Sequence, residues 1–328
     1  MDSIHLEKKD LPFLPNFSMH RFKSLYLYNN RIRILFEDYL PQGIELLDCG
    51  ENYIHSDGLP SVWPDTIKEL YLDYNCIYDT DGITWPDNLE LLRIGHNPLF
   101  LFPEMLPPNL KILQCNHTPL KEIPYLPINL KVLYARACCI VRLPSILPST
   151  LVSIDLASNH LRSEDLPKAW PETLETLDLT SNYLDTFPTG LPTYLFWLSL
   201  SHNKIKTLSD TLPEYLQTLF ISNNGLLTLD WKKRTLPLLL ADISYNSLLN
   251  IPNEDINDGW ACHILSEYNW DKPIYSIVVK RFQNLWRRYR LCQILRCRAR
   301  MSKVKDELLA VAMCPERVGH FESIPVFS

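Results

Sequence analysis

His96 and His117 stand 21 residues apart in a chain of 328, and Cys115 lies two residues before the second of them. Imidazole and thiolate are the ligands that zinc prefers, so this trio is the nearest the sequence comes to a metal site. It falls short. A structural zinc site takes four ligands, Cys115 falls where a core residue is wanted, and the two histidines sit in loops. Catalytic chemistry fares no better. The chain has no glycine-rich phosphate loop, no HExxH, no G-x-S-x-G, and no two carboxylates that spacing would bring into one pocket. The expectation is a protein without metal or cofactor that is not an enzyme.

The spacing that does recur is structural. "WPDTIKELYLDYNCI" (63–77), "WPDNLELLRIGHNPL" (85–99) and "WPETLETLDLTSNYL" (170–184) are near-copies, and alignment on their asparagine extends the series. Eleven copies follow, with the key position at Asn30, Asn52, Asn75, Asn97, Thr118, Cys138, Asn159, Asn182, Asn203, Asn224 and Asn246, 20 to 23 residues apart. Each reads L-x-x-L-x-L-x-x-N-x-L, the leucine-rich repeat signature. Leu177 and Leu179 alternate with polar residues, which predicts a short strand buried on one face. Stacking the copies predicts a parallel sheet and a ladder of asparagines whose side chains bond backbone groups left unpaired by the turn. No copy can bury its leucines alone, so stability comes from neighbours.

Nine copies carry Leu-Pro or Trp-Pro before the first leucine, and 25 prolines against nine glycines reverse ordinary usage. Proline fixes φ and has no N–H, which suits an extended or polyproline-II return segment, and about ten residues leave little room for a helix. Trp63, Trp85 and Trp170 then close the convex side of the core. The expected fold is a leucine-rich repeat solenoid with parallel strands on the concave face and extended convex segments. Residues 1–21 form an N-terminal cap, 22–252 the eleven repeats, and 253–328 a helical C-terminal cap or tail.

"LKEIPYLPINLKVLYARACCIVRLPSILPSTLVSIDLASNHL" resembles the short, proline-containing repeats of bacterial type III effector leucine-rich repeat proteins, and of those of giant DNA viruses. The resemblance covers roughly residues 22–252. It implies an α/β-class solenoid working in a cell's interior, in host cytoplasm for a viral or effector protein. Some such effectors add a ubiquitin-ligase domain with a C-x-D nucleophile. The roughly 75 residues after the repeats are too few for it, and no cysteine here is followed by x-D.

Alternate strand residues face the concave surface. The column four before the asparagine reads Tyr26, Asp48, Tyr71, Arg93, Gln114, Tyr134, Asp155, Asp178, Ser199, Phe220 and Asp242, and flanking columns add Asp73, Arg136, Trp197 and Ser201. Tyr, Trp, Phe and Arg are interface hot-spot types. The candidate partner-binding residues are Tyr26, Tyr71, Asp73, Arg93, Tyr134, Arg136, Asp155, Asp178, Trp197 and Phe220. A bare sheet face needs some residues, and tyrosine suits strands, so each one alone is an even choice between contact and packing.

From Ile277 to Lys305 ten lysines and arginines occur without an acid, so the −6 of the whole chain becomes −16 for the remainder. Apolar residues recur there at helical steps, predicting an amphipathic basic helix. "FQNLWRRYRLCQIL" partly resembles the calmodulin-binding IQ motif. Phe282, Gln283, Arg287 and Leu295 fit, Arg288 replaces its glycine and Cys292 its second basic residue, and Arg290 is a further cation of the helix. Such a helix packs as a cap, or binds a calmodulin-like or acidic partner, a membrane surface or nucleic acid. The negative remainder makes nucleic acid an unlikely partner, because phosphate contacts dominate such affinity.

Nine irregular cysteines without a CxxC pair fit a reducing compartment. No apolar run reaches the roughly 18 residues of a membrane span, and "MDSIHLEKKD" has no signal core. The sequence therefore reads as an intracellular, non-enzymatic scaffold that binds another protein on its concave face. The alternative is an adaptor or substrate receptor for ubiquitin transfer, or nucleic-acid or calmodulin-like binding through the basic C-terminal helix.

Overall fold

The computed structural model describes residues 2–102, 105–123, 125–208, 212–227, 240–243, 245–247 and 263–265. Thirteen three-residue strands form one sheet in chain order, every neighbouring pair parallel. They are β1 (Ser3–His5), β2 (Ser24–Tyr26), β3 (Leu46–Asp48), β4 (Glu69–Tyr71), β5 (Leu91–Arg93), β6 (Ile112–Gln114) and β7 (Val132–Tyr134), then β8 (Ser153–Asp155), β9 (Thr176–Asp178), β10 (Trp197–Ser199), β11 (Thr218–Phe220), β12 (Leu240–Asp242) and β13 (His263–Leu265). The eleven strands read from sequence are β2 to β12, and their residues pair in the expected register throughout.

The alternation predicted by the leucine spacing is visible in burial. In most strands the middle residue is buried between two partly exposed ones, and the leucines before and after it are sealed. Leu174, Leu177, Leu179 and Leu184 of one copy are fully inaccessible. One continuous core runs from Leu14 to Ile243. At about 1.5–3 kcal/mol for each buried aliphatic side chain, this stacking carries the fold.

Each copy turns through a left-handed residue. The position just before the ladder residue has φ between +47° and +58° in all eleven copies, and none is glycine: Asn29, Glu51, Tyr74, His96, His117, Ala137, Ser158, Ser181, His202, Asn223 and Tyr245. The asparagine that follows serves the turn. Asn52 Oδ1 accepts the Ile32 N–H at 3.0 Å, and its Nδ2 donates to the carbonyls of Leu27 at 3.0 Å and Cys49 at 3.1 Å. The pattern repeats at Asn75, Asn97, Asn159, Asn182 and Asn203. Thr118 and Cys138 both donate to the Cys115 carbonyl, at 2.7 and 3.2 Å, and bond each other at 3.3 Å.

The prolines have a more specific role than an extended return. In eight copies the proline carbonyl accepts the N–H of the first leucine-type residue three positions on, as in Pro64 to Ile67 at 3.1 Å and Pro171 to Leu174 at 3.0 Å. Proline thus opens the tight turn that leads into each strand. Among the described residues no α-helix occurs, and the return segments hold only three single 3-10 turns. Trp63, Trp85 and Trp170 are buried, and the first two stack with centroids 6.1 Å apart.

A second ladder, not anticipated, runs nine residues before the asparagines. Asn88, Asn109 and Asn129 donate to the carbonyls of Asp65, Asp87 and Pro108, Thr150 and Thr173 make equivalent bonds to Ile128 and Ser149, and Thr66 donates to the Ile44 carbonyl.

Two strands lie outside the eleven copies. β1 falls within residues 1–21, and Lys8, at φ +55°, occupies the same left-handed place there. β13 lies in the 253–328 region expected to be helical. Its three residues extend the parallel sheet past β12, whose edge offers backbone groups to a strand-forming triplet, and the rest of that region, with the expected helix, lies outside the described residues.

Candidate functional site

The face of the sheet turned away from the leucines collects the candidate residues. Strand register places Tyr26, Asp48, Tyr71, Arg93, Gln114, Tyr134, Asp155, Asp178, Ser199, Phe220 and Asp242 in one row across β2 to β12. Trp197 lies in the row at the strand starts, while Asp73 and Arg136 lie two residues past the strand ends.

The charged members of this face are tied to one another. Arg93 Nε lies 2.9 Å from Asp73 Oδ2, and its guanidinium sits over the Tyr71 ring at 5.7 Å. Arg136 Nε is 3.3 Å from Asp155 Oδ2, and its Nη2 is 3.2 Å from Asp178 Oδ2. The carboxylates are also bound by their turns. The N–H of Gly50, Ala157 and Thr180 each donates to the Oδ1 of the aspartate two residues earlier, at 3.0 Å. Asp73 instead accepts from Gly95 of the next turn at 3.1 Å. A methyl at Gly95 would meet the Asn116 carbonyl oxygen at 2.8 Å and Asp73 Oδ1 at 3.2 Å, so only glycine keeps this approach.

Burial divides the row. Asp73, Asp155, Asp178 and Tyr134 are at most 9% exposed, whereas Tyr26, Tyr71, Arg93, Trp197 and Phe220 are half-buried. The accessible part of the face is therefore aromatic, guanidinium and, at Asp48, Glu69 and Asp242, carboxylate, with Asp73, Asp155 and Asp178 beneath. Burial pushes the Asp73 carboxyl up to about 6 despite Arg93, and the Asp178 carboxyl is raised by burial and by Asp155. Trp197 and Phe220 form a tilted aromatic pair, centroids 5.8 Å apart.

Several members of the face were missed in the sequence. Leu46, Leu91 and Ile112 begin β3, β5 and β6 and are half-buried there, beside Glu69 of β4, whose Oε2 accepts the Tyr71 hydroxyl at 2.8 Å. Their shared place, six before the ladder residue, is the signal that marks them. An aliphatic residue inside a leucine motif draws no notice.

The remaining candidates fall elsewhere. His96 stacks between Tyr74 and His117, with centroids 3.9 and 4.3 Å away, while Cys115 is buried with its thiol donating to the Tyr134 carbonyl. No group of three or more metal-ligating side chains occurs among the described residues. The five described cysteines are free, and no described helix is long and apolar enough to cross a membrane. Phe282, Gln283, Arg287, Arg288 and Arg290 of the basic stretch lie outside the described residues.

No family description matches the chain, and no curated protein matches it in sequence. Solved structures do. YopM, a leucine-rich effector protein from Yersinia pestis, is similar over 76% of this chain and 79% of its own, at 26% identity and a TM-score of 0.58. InlJ from Listeria monocytogenes, whose functional domain includes a cysteine ladder, covers 76% of this chain with 50% of its own, at 19% identity and a TM-score of 0.57. An octameric complex of latrophilin 3, Unc5D and the leucine-rich repeat of FLRT2 gives 76% and 78% coverage, 19% identity and a TM-score of 0.54. With thirteen parallel strands in register, these likenesses make the chain a leucine-rich repeat solenoid.

Proposed function

We propose that this solenoid works by recognition and not by catalysis, docking a partner protein on the exposed face of its sheet, the side read as concave. The observation that carries the reading is the single in-register row in which half-buried Tyr26, Tyr71, Arg93 and Phe220, with Trp197 beside it, stay open on a rigid sheet. Rigid aromatic groups offer large contact area at small entropic cost, which is why they dominate interface energetics. YopM is described as an effector, and FLRT2 is found in a complex with protein partners, which supports the same class of role here. The free cysteines and the likeness to an effector favour action inside a cell.

The test is cross-linking of the full chain to the protein that co-purifies with it, wild type against Trp197→Ala/Phe220→Ala. Cross-links should fall on β2 to β12 and the variant should lose capture at least tenfold, on the order of 2 kcal/mol or more for aromatic hot spots. Its unfolding midpoint should stay nearly unchanged. Undiminished capture by a folded variant would remove this face from consideration.

A further inference from the structure

The charge on the docking face is one-sided. From β2 to β12, the strand residues pointing outward and the turn residues beside them include six carboxylates, Asp48, Glu69, Asp73, Asp155, Asp178 and Asp242. Two guanidinium groups, Arg93 and Arg136, are the only cations in those rows, so the face carries −4. Both arginines are already spent on the aspartates beneath them. They form two separate clusters, Asp48/Asp73/Arg93 on one side of Gln114 and Arg136/Asp155/Asp178 on the other, each one positive charge short. The adjoining edge row does not compensate. It offsets one charge at most, because Lys23, Lys68, Lys111 and Lys131 stand against Glu45, Glu90 and Glu175, with Lys23 and Lys68 on Glu45 at 2.7 and 2.9 Å and Lys111 on Glu90 at 2.7 Å.

Between the centres of the clusters lies the apolar part of the face, where Leu91, on the strand of Arg93, and Ile112, on the strand of Gln114, pair directly in register and remain half-buried. A ligand satisfying both features carries cations at its ends and apolar side chains between them. With strands about 4.8 Å apart, the centres of the two clusters, at β4 and β8, are roughly 19 Å from each other, the reach of about six residues of extended chain.

We propose that the partner segment seated on this face is cationic, with lysine or arginine flanking aliphatic residues. This rests on the docking role proposed above and adds to it the chemistry of the partner. A field of this sign repels phosphate backbones and acidic proteins and steers basic ones.

The experiment uses the full chain and two fluorescein-labelled peptides, one of repeated Lys-Leu-Gly and one of repeated Glu-Leu-Gly. Binding is read by anisotropy over a range of salt, and the seat by hydroxyl-radical footprinting. The lysine peptide should bind, weaken as salt rises, and protect Tyr71 and Trp197. Asp48→Asn/Glu69→Gln/Asp242→Asn keeps side-chain shape and removes three of the accessible charges. It should bind that peptide on the order of tenfold more weakly, with unaltered unfolding. If the glutamate peptide binds as well and protects the same residues, the cationic assignment is overturned while the docking face stands. If the lysine peptide protects other residues, or neither peptide binds, the cationic assignment again fails. The docking face is then judged by Trp197→Ala/Phe220→Ala alone.

Discussion

Arg136 reaches past the neighbouring strand to Asp178, its Nη2 3.2 Å from the carboxylate two copies away, while its Nε holds Asp155 at 3.3 Å. One guanidinium thus fastens three successive turns. Both aspartates are only 5% exposed, so loss of the cation strands two carboxylates. Arg136→Met should cost an amount near the lower end of the roughly 3–5 kcal/mol seen when a buried pair loses one partner. Arg136→Lys should rescue little, because a point charge cannot serve two acids through a planar fork. Urea midpoints of the three proteins decide it, and full rescue by lysine would refute the bridging role.

Asp73 gives the protein a dependence on pH. Its carboxyl is raised from 3.8 to about 6 in the fold, chiefly by burial. The folded state therefore holds a proton that the unfolded chain has released, and stability falls as pH rises through about 6. The penalty above that value is at most about 3 kcal/mol for a shift of this size. Asp73→Asn should raise the urea midpoint at pH 7.5 and leave it nearly unaltered at pH 4. A variant equally destabilised at both would mean that the Arg93 pair matters more than the buried charge.

The asparagine ladder predicts unequal losses. Asn182 donates to Leu156, Leu179 and Thr180 and accepts from Leu161, whereas Thr118 donates once, to Cys115. Asn182→Ala should cost about 1–3 kcal/mol for the buried groups it strands, and Thr118→Ala less. Cys138→Asn should add the acceptor that its neighbours possess and raise stability. Equal midpoint shifts for the two alanine variants would sink the ladder as an energetic device.

Much of this was readable from Asn182 and the leucines around it, because period and residue type together leave few ways to bury them. The strands, their order and the row from Tyr26 to Asp242 all follow from that one alignment. What did not follow was which outward residues stay accessible. Asp155 and Tyr71 hold the same place in their copies, yet one is sealed by Arg136 and the other is half-buried. That difference depends on the neighbours' side chains and not on position. β1 escaped notice because Lys9 stands where asparagine is expected, and Leu91 because it resembles one more core leucine.

The left-handed turn offers a gain. Ala137 sits at φ +52°, a conformation disfavoured for any residue with a Cβ. Ala137→Gly should stabilise by about 1 kcal/mol, less the extra freedom glycine gives the unfolded chain. Ala157, fully buried and without positive φ, is the control, and Ala157→Gly should destabilise. Thermal unfolding of both variants compares the two signs, and a loss at Ala137 would contradict the strain argument.

The ladder bonds also bear on how such a chain changes length. Each asparagine bridges its own copy and the one before, at distances that scarcely vary from Asn52 to Asn203. Excising one whole copy, for instance from Asn159 to the residue before Asn182, rejoins two ends of the same kind, and every asparagine still finds a carbonyl and an amide in place. The seam at Thr118 and Cys138 lacks that interchangeability. Duplication and loss of single units should accordingly be tolerated on either side of it, letting the recognition surface lengthen or shorten in whole steps while its chemistry is revised one turn at a time.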